Sequence, residues 1–87
     1  MIKSWSDAAW EDFEYWMKED RKTLKRILQL LKDIDRNGYE GLGKPEPLRG
    51  DLSGYWSRRI DDCNRIVYRI EGGVIQIVQC GSHYRDK

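Results

Sequence analysis

The sequence is poor in the residues that build metal centres and membrane spans. It has one histidine, two cysteines far apart in the chain, and no apolar run near the roughly 18 residues that a membrane-spanning helix needs. A four-ligand zinc site is not expected, because Cys80 and His83 have no further cysteine or histidine close by. The N-terminus lacks an export signal, so we expect a soluble, cytoplasmic protein in which Cys63 and Cys80 are free thiols.

The chain also lacks an excess of either charge. Sixteen Lys and Arg against fifteen Asp and Glu leave a net charge of +1, so the whole-chain charge does not indicate a nucleic-acid binder. The stretch from Lys44 to Arg69, however, contains six basic and four acidic residues, and five of the six basic residues are arginine. The planar guanidinium suits phosphate, although a solvated strand face would look the same.

Two amphipathic segments follow a short strand at residues 2–5. Ser6 and Asp20 are side-chain caps for helices that are predicted to end near Glu19 and Asn37. Apolar residues recur at spacings of three and four in both segments, which predicts one buried face per helix. These stripes are Trp10, Phe13, Trp16 and Met17, then Leu24, Ile27, Leu28, Leu31 and Ile34. The junction is so short that the helices should form an antiparallel hairpin.

Glycine and proline dominate residues 39–54, which predicts a long irregular loop. Three strand-like runs follow, at 55–60, 64–71 and 74–80, and their short polar turns predict an antiparallel meander. The predicted fold is therefore α+β, in one domain of residues 1–87: a helical hairpin packed on an antiparallel β-sheet, in the order β-α-α-β-β-β.

Turn length decides which side chains meet, because directly opposed residues share a face of the sheet. A two-residue turn at 72–73 sets Arg65 against Cys80 on the open face. The core pairs of this register are Ile70–Ile75 and Tyr68–Ile77, and Val67 would oppose Val78 on the open face. A three-residue turn before it opposes Ile60 and Asn64, and places Arg59 on the face of Arg65. Arg58 falls on the core side, from which it would have to reach the sheet edge.

Glu46 lies between two prolines in the stretch GKPEPL. Pro45 fixes its own φ, and Pro47 drives the preceding residue into extended geometry, so Glu46 has little backbone freedom. Such a carboxylate is either a surface acid or a positioned base. Arg65 is expected beside Cys80, the end of the last predicted strand, and His83 follows three residues after Cys80. The loop of Glu46 enters the same sheet.

A carboxylate, an imidazole and a guanidinium around one cleft fit RNA cleavage by internal attack. One group takes the proton of the ribose 2′-hydroxyl, one supports the charge on the phosphate, and one protonates the departing 5′-oxygen, so no metal or cofactor is required. These roles suit Glu46, Arg65 and His83 respectively. Further candidates are Lys44, Arg49 and Arg59 for flanking phosphates and Tyr84 for a base. Taken singly, each residue also suits an ordinary exposed position, so the nuclease is one candidate among several.

Four ordered motifs, GKPEPL, LSGYWSRRI, RIVYRI and CGSHY, resemble the YoeB/Txe family of bacterial toxins, within the RelE-like superfamily of small ribonucleases. The likeness runs over essentially the whole chain. It implies a microbial-ribonuclease-like fold and a toxin of a type II toxin–antitoxin pair. It further implies cleavage of mRNA in the A site of the bacterial ribosome and inhibition by a YefM-like antitoxin, and leaves a homodimer open.

By motif, the resemblance implies that Glu46 is the general base, Arg65 a catalytic arginine, His83 the general acid and Tyr84 a substrate-orienting residue, with Arg59 as a phosphate contact. The chain departs from some relatives by continuing for three residues after Tyr84 and by carrying Gly-Ser before His83. The alternatives are a non-catalytic module that binds RNA or an antitoxin, and a degenerate toxin kept only as a partner for its antitoxin. The module predicts that loss of Glu46 or His83 leaves every activity intact.

Overall fold

The computed structural model describes residues 1–82 of the chain. Its elements are β1 (Ile2–Trp5), α1 (Asp7–Glu19), α2 (Arg21–Asn37), β2 (Glu46–Pro47), a 3₁₀ turn (Gly50–Leu52), β3 (Trp56–Arg59), β4 (Arg65–Glu71) and β5 (Val74–Gly81). The five strands form one sheet in the order β1-β5-β4-β3-β2. The α+β class and the element order are confirmed, with β2 as an additional strand.

The sheet is mixed, so the prediction of an antiparallel sheet is corrected. β1 runs parallel to β5, whereas the other three pairings are antiparallel. A parallel pair needs a long connection between its strands, and here that connection includes both helices and the rest of the sheet. Short turns predict only neighbours along the chain, and therefore gave no information on this pairing.

Both helices begin at the predicted caps. Ser6 Oγ accepts a hydrogen bond from the Ala9 N–H at 3.1 Å, and Asp20 Oδ1 accepts one from the Thr23 N–H at 3.0 Å. Asp20 alone separates the two helices. Within residues 1–82, neither helix has the length and apolar character needed to cross a membrane.

The core lies between the helices and one face of the sheet. The buried residues of α2 are Ile27, Leu30, Leu31 and Ile34, and they pack on Ile66, Tyr68, Ile75 and Ile77 of the sheet. The predicted stripes were partly wrong: Leu28 is 43% exposed, and Trp10 and Met17 are 42% exposed each. The buried face of α2 is centred between Ile27 and Leu31, which turns Leu28 outward and Leu30 inward.

A β-bulge corrects the predicted register near the end of β5. The Ile70–Ile75 and Tyr68–Ile77 pairs are confirmed, but Val78 is then skipped, and Val67 pairs with Gln79. A bulge inserts one unpaired residue and shifts the remaining pairs. Arg65 therefore lies opposite Gly81 rather than Cys80, and Cys80 turns into the core.

The two free thiols should differ sharply in reactivity. Cys63 is exposed in a turn, whereas Cys80 is buried, and burial raises the pKa of the Cys80 thiol to about 12. Because the thiolate is the nucleophile, a disulfide reagent near neutral pH should titrate one thiol rapidly in the folded protein and the second only after denaturation. Cys63→Ser should abolish the rapid phase. Two rapid equivalents in the wild type would contradict the buried position of Cys80.

Candidate active site

Four polar side chains share the sheet face that points away from the helices. Glu46 of β2 pairs with Ser57 of β3, and Arg59 of β3 pairs with Arg65 of β4. Ser57 and Arg59 are two residues apart, so their side chains point to the same side of the strand. The predicted irregular loop therefore contains a short edge strand, where proline is tolerated, and this strand places Glu46 on the open face.

Glu46 and Arg65 meet across Ser57. Arg65 Nη1 lies 3.5 Å from Glu46 Oε1, and the same nitrogen donates a hydrogen bond to Ser57 Oγ at 3.3 Å. The side chain of Glu46 is 61% exposed and that of Arg65 is 28% exposed. An ion pair this exposed contributes little to stability, so its main consequence is to hold an acid and a guanidinium together at the surface. The strand pattern alone gave no sign that Ser57 is the link between them.

Of the other predicted residues within 1–82, only Arg59 lies directly beside this pair. Arg59 is exposed and lies directly opposite Arg65. Lys44 is exposed two residues before Glu46, with a left-handed φ of 52°, and Arg49 is exposed just after β2. Within residues 1–82, no hydrogen bond or ion pair joins Lys44 or Arg49 to the pair. The predicted His83 and Tyr84 lie outside the described residues.

A buried arginine holds the loop that precedes β2 in the sequence. Arg58 is fully buried, and its guanidinium donates to three loop carbonyl oxygens. Nη2 donates to Gly38 O at 2.8 Å and Glu40 O at 2.7 Å, and Nη1 donates to Leu42 O at 2.8 Å. The loop that leads to Glu46 is therefore fastened from inside the protein.

The charge of Arg58 is compensated inside the core, so it does not extend to the sheet edge as predicted. Nη1 donates to Asp33 Oδ2 at 2.6 Å, and Nε donates to Tyr68 Oη at 3.1 Å. The hydrogen bond from Arg58 is the main reason that the pKa of Asp33 lies below its usual value, while burial raises the pKa of Tyr68. A buried guanidinium is tolerated when every donor has a partner. A charged residue at a core position of the strand pattern was the signal for such a site.

Gly43 brings the same loop against β3. Its φ is +80°, its carbonyl oxygen accepts from the Arg59 N–H at 2.6 Å, and an added Cβ would lie 3.0 Å from both Arg59 O and Leu30. We expect Gly43→Ala to lower the free energy of unfolding by more than about 1 kcal/mol, measured by urea denaturation. Gly50→Ala is the matched control, because Gly50 has a φ of +67° but no neighbour within 4 Å of an added Cβ. Equal losses would mean that backbone conformation alone, and not close packing, requires the glycine.

Comparison with known proteins gives the family. The family model for YoeB-like toxins of bacterial type II toxin–antitoxin systems matches residues 5–84. The chain belongs to this family. All four motifs that carried the resemblance lie within the matched residues, so the prediction of the toxin family is confirmed.

Relatives of this YoeB-like toxin share its length and its fold. It is 52% identical over 81 residues to Toxin YoeB of Streptomyces coelicolor, covering 93% of this chain and 96% of the relative. The solved YoeB/ParE toxin of Agrobacterium tumefaciens superimposes with a TM-score of 0.92 at 42% identity, covering 97% of this chain and 100% of that one.

A third relative has been solved both with a partner and as a dimer. YoeB of Staphylococcus aureus in a YoeB–YefM complex gives a TM-score of 0.91 at 45% identity. The S. aureus YoeB dimer gives 0.90 at 46% identity, and both comparisons cover 97% of this chain and 98% of the relative. The fold predicted from the motifs is therefore confirmed.

Proposed function

We propose that this toxin is an endoribonuclease that cleaves mRNA in the A site of the bacterial ribosome, by acid–base chemistry of its own side chains. The observation that supports this most directly is the placement of Glu46 Oε1 at 3.5 Å from Arg65 Nη1 on an open sheet face. A base and a cation so close can act on one phosphodiester: one on the attacking hydroxyl, the other on the phosphate oxygens.

In the proposed reaction Glu46 removes the proton of a ribose 2′-hydroxyl. The oxygen then attacks the adjacent phosphorus, and the bond from phosphorus to the 5′-oxygen breaks. Arg65 donates to the non-bridging oxygens as their negative charge grows, His83 returns a proton to the 5′-oxygen, and Tyr84 orients the nucleotide. The products are a 2′,3′-cyclic phosphate and a 5′-hydroxyl, which this route requires and attack by external water does not.

RNA binding is proposed to depend on the basic residues around this pair. Arg59 lies opposite Arg65, and Lys44 and Arg49 flank β2 in the sequence, so each is a candidate phosphate contact. Proteins that capture RNA from solution owe much of their affinity to basic side chains that neutralise phosphates. A net charge of +1 therefore favours an enzyme to which the ribosome presents the substrate.

The partners follow from the relatives. Because the S. aureus relative is solved with YefM and as a dimer, we propose a YefM-like antitoxin as inhibitor and a homodimer as one assembly state. Translating ribosomes as the site of action place the toxin in the cytoplasm. Residues 1–87 act as one toxin domain in this proposal.

Cleavage of mRNA on purified ribosomes tests the proposal. Ribosomes carrying a defined codon in an empty A site should yield mRNA ends within that codon, with a 2′,3′-cyclic phosphate on the upstream fragment. The same mRNA without ribosomes should stay largely intact, and prior addition of the cognate antitoxin should suppress the ends. Ribosome binding without cleavage would instead favour the non-catalytic RNA- or antitoxin-binding module.

A further inference from the structure

Side chains of α1 replace a strand along the outer edge of β5. β1 pairs with β5 only as far as Trp5 and Ile77. Beyond that point the backbone of β5 would have no partner on this side, and buried backbone groups require one. Ser6 Oγ, at the start of α1, donates to Val78 O at 3.0 Å, which is the first of these contacts.

The next contacts hold both polar backbone groups of Cys80. Asp12 Oδ2 accepts from Cys80 N–H at 3.2 Å, and Trp16 Nε1 donates to Cys80 O at 2.8 Å. Asp12 and Trp16 are four residues apart, so they lie on one face of the helix. Asp12 and Cys80 are both buried, so water does not compete well for the hydrogen bond between them.

The same helix face also leaves little room for a side chain at the next residue of the strand, Gly81. A Cβ added to Gly81 would lie 3.2 Å from Asp12 Cγ, which is a tight approach, and Gly81 is the residue paired with Arg65. A cleft of about 380 Å³ opens here. It is lined by Asp12, Tyr15, Trp16, Asn64, Gly81 and Ser82.

We propose that Asp12 and Trp16 are positioning residues for the ribonuclease reaction, because they fix the point beside Arg65 from which the chain continues to His83. This inference rests on the proposed function. His83 is three residues after Cys80, a span of at most about 11 Å, so a displaced Cys80 moves the origin of the segment that carries the acid. A shift of about 1 Å at a reacting group can lower a rate by on the order of a hundredfold.

Trp16→Phe tests the proposal, because it removes the indole N–H and keeps an aromatic ring. We expect single-turnover cleavage on ribosomes to fall about 10- to 100-fold while ribosome affinity is unchanged. Trp10→Phe is the matched control: Trp10 is on the same helix, packs against Trp5 and Phe13, and its indole makes no hydrogen bond among residues 1–82. It should cleave at the wild-type rate.

Imidazole NMR provides a readout that does not depend on cleavage. His83 is the only histidine, so its ring resonances need no separation from others. Trp16→Phe should change the shifts or the titration midpoint of His83 in the free, folded protein, and Trp10→Phe should not. Unchanged His83 resonances in folded Trp16→Phe would overturn the inference whether or not the wild type cleaves RNA. Absence of cleavage by the wild type would overturn the proposed function instead.

Two further comparisons separate positioning from general stability. In a His83→Gln background, Trp16→Phe should cause little additional loss, because both changes act through one group; a fully multiplied loss would overturn the inference. If Trp16→Phe does not fold, Asp12→Ala and Asp12→Asn replace it. Asp12→Asn keeps an oxygen that can accept from Cys80 N–H, so it should retain more cleavage and more native His83 resonances than Asp12→Ala. Equal behaviour of the two would contradict the proposal.

Discussion

Glu46→Gln is expected to lower the rate of ribosome-dependent mRNA cleavage by about a hundred- to ten-thousandfold, the contribution of a positioned proton-transfer group. Glutamine keeps the size of the side chain but cannot accept the proton of the 2′-hydroxyl. The fold should survive, because the carboxylate is 61% exposed and its one ion pair among residues 1–82, with Arg65, is also partly open to solvent. Single-turnover cleavage with toxin in excess over programmed ribosomes measures the chemical step.

Glu71→Gln is a closely matched control for this substitution. Glu71 is 65% exposed and pairs with Arg69 at 3.2 Å, so it is another surface glutamate beside an arginine of β4, at the opposite end of the strand from Arg65. It should cleave like the wild type. Wild-type cleavage by folded Glu46→Gln would exclude Glu46 as the general base. Equal losses in both variants would point to a general effect of charge on ribosome binding.

The parts of the fold that could be predicted are those specified by short-range rules. Ser6 and Asp20 cap their helices because a side-chain oxygen needs only the N–H three residues ahead. The Gly72–Gly73 turn fixed the neighbouring pairs of β4 and β5 because a two-residue turn leaves one register. Alternation along the strands then placed Arg59 and Arg65 on one face.

The features that were missed depend on distant contacts. Parallel pairing of β1 with β5 and the extra residue at Val78 in β5 have no local signature in this sequence. The bulge exchanges the faces of every residue after it, which is why Cys80 was expected on the open face and is found in the core. Arg58 was misread for a related reason, since its acceptors are carbonyl oxygens, which every loop carries and no sequence motif marks.

The candidate site combines both kinds of information. The two prolines around Glu46 predicted a restrained carboxylate, and strand parity predicted the face of Arg65. That the acid reaches this face through a two-residue edge strand, with Ser57 between it and Arg65, required the structure. The shared face of Glu46 and Arg65 was thus predictable from the sequence, whereas the interior contacts behind it were not, and the catalytic roles of both residues stay predictions.

Arg58→Met is expected to have the largest effect on stability, a loss of about 3–5 kcal/mol in the free energy of unfolding. Methionine fills a similar volume, but it removes the guanidinium donors of the Asp33 carboxylate and of three loop carbonyl oxygens. Among residues 1–82, Asp33 keeps only the Leu42 N–H and the Asn37 side chain as donors, and Gly38 O keeps only the Tyr68 hydroxyl. Urea denaturation measures the loss. Arg59→Met is the control, since Arg59 is the next residue of β3 and is exposed, and it should change stability by no more than about 0.5 kcal/mol.

The pH dependence of stability provides a second test of the Arg58–Asp33 pair. Because the pKa of Asp33 is lowered in the folded protein, chiefly by the hydrogen bond from Arg58, its contribution is present above the ordinary carboxyl pKa of 3.8. That contribution is lost as the pH falls through the lower, folded-state value. The wild type should therefore lose stability on acidification in this range, and Arg58→Met should lose less. An equally steep acid loss in Arg58→Met would mean that the other donors to Asp33, the Leu42 N–H and the Asn37 side chain, keep its pKa low without Arg58.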